Sequence, residues 1–198
     1  LLEEEKACNI SLLQTDMFEY IGRKYARFMK ETQRPGDLRI SDILAAFNIF
    51  QVLCGVHYGH RGVQGINRGV ELYLVRQGFD CRPDSWYPGR PVLITRNDYS
   101  LDLFNGDIGI CLQDPGAQSL QVWFAGADGS LKSYSPYRLP PCETVFAMTI
   151  HKSQGSEFDE VVVVLPDEDN RILSRELIYT AVTRAKKTVT VVAKRQVF

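Results

Sequence analysis

Thr144-Val-Phe-Ala-Met-Thr-Ile-His-Lys-Ser-Gln-Gly-Ser-Glu-Phe-Asp-Glu-Val-Val-Val-Val-Leu165 reads as strand, polar loop, strand. The second strand, Val161 to Leu165, is apolar at every position and almost wholly β-branched. A strand with one wet face alternates; a run apolar on both faces belongs inside a parallel sheet. Downstream, Ser174 is a good N-cap, and Glu176 falls in the first turn of a helix reaching Ala185. Thr188 to Val192 is a further strand. Strand, helix and strand in this order imply parallel crossovers and an α/β fold.

Working upstream, Met17 to Lys30 is an amphipathic helix with Phe18, Ile21, Tyr25 and Phe28 on one face, stopped by Pro35-Gly36. A second helix starts at Ser41-Asp42 and ends at Phe47, Phe50 to Val56 has strand length, and Gln64 to Gln77 is a third helix. Pro83, Pro88, Gly89 and Pro91 cluster around Trp86 and mark a boundary. Beyond it come short strands, Pro91 to Thr95, Ile108 to Leu112 and Leu120 to Phe124. Their turns are Arg96-Asn97-Asp98, Asn105-Gly106-Asp107, Asp114-Pro115-Gly116 and Asp128-Gly129, and Pro140-Pro141 closes the series. The expectation is an α/β domain, 1–85 plus 142–198, interrupted at 86–141 by a small antiparallel barrel or sandwich.

Composition bounds the function. The 198 residues are 44% hydrophobic and 24% charged, the globular range. No apolar run of about 18 residues offers a membrane span. Glu3, Glu4 and Glu5 give the wrong charge for a signal peptide, and a start at Leu1 reads as a piece of something longer. The net charge of -1 selects no partner, but the chain is acidic from Glu157 to Asp169 and basic from Arg171 to Arg195. Such a basic stretch either holds phosphates or is a solvated face. Cys8, Cys54, Cys81, Cys111 and Cys142 form no Cys-x-x-Cys pair, which excludes a zinc or redox motif and suggests free thiols in a reducing cytoplasm.

The polar loop is the first candidate site. Thr149 ends a strand, where ligands bind in open parallel sheets. His151, Lys152, Ser153, Gln154, Gly155, Ser156 and Glu157 follow it, more polar groups than a turn needs. Gly155 lets backbone approach a phosphate, and Gln154 and Glu157 suit sugar hydroxyls or an attacking water. The plain alternative is a solvated connection. Arg184 lies beside the apolar face Leu177, Ile178, Ala181, Val182 and Ala185, near the helix C-terminus. There it either complements the helix dipole or offers a planar fork to a phosphate. Asp167 and Glu168 after Pro166 read as an exposed loop rather than a magnesium-holding pair. His57, His60 and Arg61 form a basic cluster, not a metal site. No Gly-x-x-x-x-Gly-Lys-Ser/Thr occurs, so the chain alone is expected to be inactive as an ATPase.

Thr149 to Phe158 resembles motif V of superfamily 1 helicases, and Tyr179-Thr-Ala-Val-Thr-Arg-Ala-Lys186 resembles their motif VI. Trp86-Tyr-Pro-Gly-Arg-Pro-Val92, Arg96-Asn97-Asp98, Leu103-Phe-Asn-Gly-Asp-Ile-Gly109, Phe50-Gln-Val-Leu-Cys54 and Gly62-Val-Gln-Gly-Ile-Asn67 are similar to the RecD family, the exodeoxyribonuclease V alpha chains. The resemblance implies a RecA-like P-loop NTPase second motor domain carrying an SH3-like barrel. A first motor domain, with Walker A, Walker B and the Mg2+ ligands, would precede Leu1. It also implies 5′-3′ translocation on single-stranded DNA driven by ATP, with RecB and RecC as candidate partner subunits. By position, Arg184 would be the arginine finger. Gln154, Gly155, Glu157 and Arg61 would contact ATP; Arg61 stands near the place of a family Arg that is His57 here. Thr149, His151, Arg96, Asn97 and Asn105 would contact DNA. Two other readings stay open: a non-catalytic DNA-binding or subunit-docking module, and the helicase part of a conjugative relaxase.

Overall fold

The computed structural model describes residues 9–12, 16–33, 39–114, 116, 119–126, 129–167 and 174–193. Outside them lie the Pro35-Gly36 helix stop, Pro115 and Asp128 of two expected turns, the acids Glu168 and Asp169, the bases Arg171, Lys194 and Arg195, and Cys8. The chain forms two compact units, one of Leu1–Ile21, Asn48–Ile66 and Ala147–Phe198, the other of Gly22–Phe47 and Asn67–Phe146.

The first unit is built on a five-stranded parallel sheet of β1 (Asn9–Leu12), β2 (Phe50–Cys54), β8 (Ala147–Thr149), β9 (Phe158–Val164) and β10 (Ala185–Val192), in the order β1-β10-β9-β2-β8. Every residue of β2 is buried, and so is Val161 to Leu165. That is the burial expected of a strand covered on both faces. Helix α4 (Arg175–Val182) joins β9 to β10 and buries Leu177 and Ala181. Its cap is the expected one: the Ser174 hydroxyl accepts from Leu177 N–H at 3.2 Å. Strand β1 was not anticipated; its four residues gain their partner only from β10, far along the chain.

The second unit holds a five-stranded antiparallel sheet of β3 (Pro91–Ile94), β4 (Ile108–Gln113), β5 (Leu120–Ala125), β6 (Leu131–Tyr134) and β7 (Cys142–Thr144), in the order β6-β5-β4-β3-β7. Val92, Ile94, Leu103, Cys111, Val122 and Phe124 form its core. Helix α2 (Ile40–Phe47) also lies in this unit, with Tyr25 stacked on Phe47 at 6.2 Å and edge-on to Phe146 at 4.8 Å. Helices α1 (Met17–Thr32) and α3 (Val63–Arg76) match the expected helical stretches to within two residues at each end.

One expectation is corrected. Thr144 to Thr149 is not a single strand: β7 pairs antiparallel with β3, and β8 pairs parallel with β2. The break has physical causes. Thr144 gives its carbonyl to Asn67 Nδ2 at 2.8 Å and its hydroxyl to Arg90 Nε at 3.1 Å, while Val145 N–H donates to Pro91 O at 3.1 Å. The Phe146 carbonyl accepts the Tyr25 hydroxyl. These bonds hold 144–146 to the antiparallel unit before the chain enters the parallel sheet.

Leu53 is fully buried in β2, the strand between β8 and β9. Leu53→Ala should cost about 2–5 kcal/mol, the usual loss for a core leucine, read as a lowered urea midpoint of the protein that carries this chain.

Candidate functional site

The residues singled out around Thr149 and Arg184 fall on the loop that joins β8 to β9 and on the turn that leads from α4 into β10. β8 and β9 run parallel with β2 between them, so the chain leaves β8 at the carboxyl edge and re-enters β9 at the amino edge. That return is about 20 Å along the strands at 3.3 Å per residue. Residues 150–157 make it without an α-helix, where parallel connections usually take a dozen residues or more. The polar loop therefore lies along the sheet, with one end at each edge.

At the carboxyl edge, Ile150 N–H donates to Cys54 O at 3.1 Å and the Ile150 side chain is fully buried. The Thr149 hydroxyl accepts from Lys152 N–H at 3.3 Å and opens a 3-10 turn, His151–Ser153. Ser153 is buried and donates its hydroxyl to Ile150 O at 2.7 Å, so the turn satisfies itself internally. His151 and Lys152 are left exposed. Cys54 also stands at this edge, but burial pushes its thiol up to about 12, which removes it as a nucleophile. Cys81 and Cys111 are buried free thiols and Cys142 is a half-buried one.

Gln154 and Gly155 are the exposed middle of the loop. Gly155 has φ +87, and nothing lies within 4 Å of where its Cβ would be. Glycine is needed here for the backbone conformation, and the space beside it is open.

At the amino edge, Glu157 and Arg184 flank the first rung of the β9–β10 ladder, where Phe158 N–H donates to Arg184 O at 2.8 Å. The Arg184 guanidinium donates from Nε to Thr180 O at 3.2 Å, from Nη1 to Ser156 O at 3.3 Å and from Nη2 to Thr183 Oγ1 at 3.2 Å. The first of these bonds satisfies a carbonyl at the end of α4, the role of a helix-terminal arginine. The second ties the same side chain to the loop. These bonds use three N–H donors of the five that an arginine has, leaving two. Lys186, absent from the residues singled out by sequence, lies with its Nζ 3.7 Å from Glu157 Oε2 and keeps that carboxylate at the same edge.

Arg61 is not with Arg184. It follows β2 at the carboxyl edge, with Nε 3.2 Å from Asp167 Oδ1. Arg96, Asn97 and Asn105 belong to the second unit, in the β3–β4 connection. Asn97 Oδ1 accepts from Asn105 N–H at 2.8 Å, Asp107 Oδ2 accepts from Phe104 N–H at 2.8 Å, and Asp98 Oδ1 accepts from Ser100 and Leu101 N–H. Much of the polarity in that loop serves its own turns.

The UvrD-like helicase C-terminal domain family matches residues 144–192, which takes in both loop ends and Arg184. The RecBCD enzyme subunit RecD of Mycolicibacterium smegmatis is 44% identical over 168 residues, 85% of this chain and 29% of that protein. By sequence the chain belongs to the RecD family. RecD of Haemophilus influenzae is 41% identical over 79% of the chain and 23% of its own length. The ATP-dependent RecD2 DNA helicase of Deinococcus radiodurans is 40% identical over 69% of the chain and 19% of its own length. The chain thus spans less than a third of the RecD-family proteins that it matches. A crystal structure of a Pif1 helicase from Bacteroides aligns with a TM-score of 0.47 at 16% identity, over 89% of this chain and 49% of that one.

Gly155→Ala forces an L side chain into a left-handed backbone, which costs about 1–2 kcal/mol. The expected outcome is a lowered unfolding midpoint and faster amide exchange at residues 153–157; unchanged exchange there contradicts the backbone role.

Proposed function

We propose that this chain supplies the second motor domain of an ATP-dependent 5′-3′ DNA helicase of the RecD type. The observation that carries the reading is the 150–157 loop, which ties Thr149 and His151 at one edge of the sheet to Glu157 and Arg184 at the other. In this reading the carboxyl edge grips single-stranded DNA and the amino edge faces ATP held by a first motor domain. The parallel sheet is the RecA-like part, and the antiparallel sheet β3–β7 is an SH3-like barrel inserted into it. Arg96 and Asn105 on that barrel are further candidates for the DNA path, and Asn97 supports Asn105 there.

Each side chain has a definite task. The Arg184 fork, already half held by Thr180 and Ser156, turns its remaining donors to the γ-phosphate and stabilises charge as it develops there. Glu157 and Gln154 bind the ribose and position the attacking water. Gly155 leaves the open space that a phosphate or sugar needs. Thr149 and His151 contact the strand. Arg61, paired with Asp167, belongs with the DNA edge better than with ATP. The chain has no Walker A sequence, so phosphate cradling and Mg2+ binding fall to the first motor domain. RecB- and RecC-like subunits are the partners this family membership suggests.

Loss of an arginine finger costs about 10³ to 10⁵ in rate. Arg184→Ala in the full-length protein should therefore abolish DNA-stimulated ATP hydrolysis while ATP binding persists; turnover within a few-fold of wild type rejects the assignment. Thr149→Ala combined with His151→Ala should weaken single-strand binding and leave ATP binding intact. Unchanged DNA affinity would favour the subunit-docking reading instead.

A further inference from the structure

The turn that follows β2 carries an aromatic ring that the fold does not use. Tyr58 is 72% exposed. Its backbone has little freedom to turn the ring inward. Gly55 N–H donates to Val164 O at 3.0 Å and Gly62 N–H to Gly59 O at 3.0 Å. A Cβ on Gly62 would lie 2.2 Å from Tyr58 O, and one on Gly65 2.3 Å from Gly59 O, so residues 58–60 are pressed onto the first turn of α3. The His57 ring meets Tyr58 edge-on, with centroids 4.8 Å apart and planes at 89°, and braces it from the side.

The surroundings select the ligand. All three histidines of the sequence, His57, His60 and His151, occur in the two loops joined by the Cys54–Thr149 pairing. Arg61 and Lys152 are in the same two loops. Phe18 packs edge-on to His60 at 5.0 Å. The Arg61 Nη1 is buried with no hydrogen-bond partner. The start of α3 is not itself an anion site, because Val63 and Gln64 N–H are taken by Val56 and His57 O at 3.1 Å. Affinity for phosphate at this edge must come from side chains. Here one flat ring, braced by His57, sits in loops that also carry His60, His151, Lys152 and Arg61, the last already paired with Asp167. An aromatic face with basic side chains in the same loops is the combination that binds a single nucleic-acid strand by stacking plus backbone contact.

We propose that Tyr58 stacks on a base of the single strand that Thr149 and His151 contact, with His57 holding the ring upright. This rests on the reading of the carboxyl edge as the DNA side. Stacking accepts any base, so it grips a strand without selecting its sequence, as a translocating motor requires. The residue adds to the polar contacts of the 149–151 segment a non-ionic one that salt does not screen.

The test uses the full-length protein and fluorescence anisotropy with two oligonucleotides of equal length, oligo-dT and a fully abasic strand. Tyr58→Phe keeps the ring and should bind oligo-dT as wild type does. Tyr58→Leu should weaken oligo-dT binding about 5- to 160-fold, the range for loss of one aromatic stack, and leave abasic-strand binding unchanged. Equal affinity of Tyr58→Leu and wild type for oligo-dT overturns the proposal, as does an equal loss on both strands. The parent reading fails separately: Thr149→Ala with His151→Ala would then leave both strands bound as tightly as before. A loss in that double variant beside an unaffected Tyr58→Leu keeps the DNA edge and rejects the stack.

Discussion

The site depends on a single constraint of chain geometry. Two parallel strands, β8 and β9, lie on either side of β2, and only residues 150–157 connect them. A return across a parallel sheet normally takes a dozen residues or more, usually through an α-helix. Here the 3-10 turn His151–Ser153 takes the first part, a second turn through Gln154 and Gly155 takes the next, and Ser156 and Glu157 lead into Phe158. The polar groups that a crossover helix would satisfy internally are instead satisfied by Ser153 on Ile150 O, by Ser156 N–H on Ser153 O at 3.0 Å, and by the Arg184 fork on Ser156 O. One segment therefore carries side chains to both edges of the sheet.

Such a loop suits a motor for a physical reason. Coupling between two sites requires an element whose arrangement both sites bias. The loop is pinned at one end by buried Ile150 and at the other by the β9–β10 rung beside Arg184. Its middle, at Gly155, is unpacked and free to respond. In the proposed motor, a change in what Arg184 holds would act on Ser156 through the Nη1 bond, and the two hydrogen-bonded turns between Ile150 and Ser156 would carry it toward Thr149.

The sequence was most legible where burial is two-sided. Val161 to Val164 could only be an interior parallel strand, and the Ser174 cap and apolar face of α4 followed by the same logic. It was least legible where tertiary bonds override local pattern. Thr144 to Thr149 reads as one strand because it is a short run of mostly β-branched and apolar residues with no breaker, yet Asn67, Arg90, Pro91 and Tyr25 capture its first half. With the strand undivided, the shortness of the crossover was visible but its direction across the sheet was not. The polar motif of the β3–β4 connection drew attention to Asn97 and Asn105 as ligands, although part of its chemistry closes its own turns. Nothing in the pattern around Tyr58 marks it as exposed; its place outside the core is set by the tight turn between β2 and α3, where Gly62 and Gly65 approach the backbone of 58–60.

In the proposed motor the 150–157 segment transmits nucleotide state to DNA grip because it is short. The direct measurement is single-strand affinity of the full-length protein with and without a non-hydrolysable ATP analogue, repeated after inserting two glycines between Gly155 and Ser156. The account predicts that the wild-type affinity ratio falls to about one in the insertion variant, while DNA and nucleotide each still bind, because slack removes the coupling free energy without removing either contact. An unchanged ratio in that variant would contradict it.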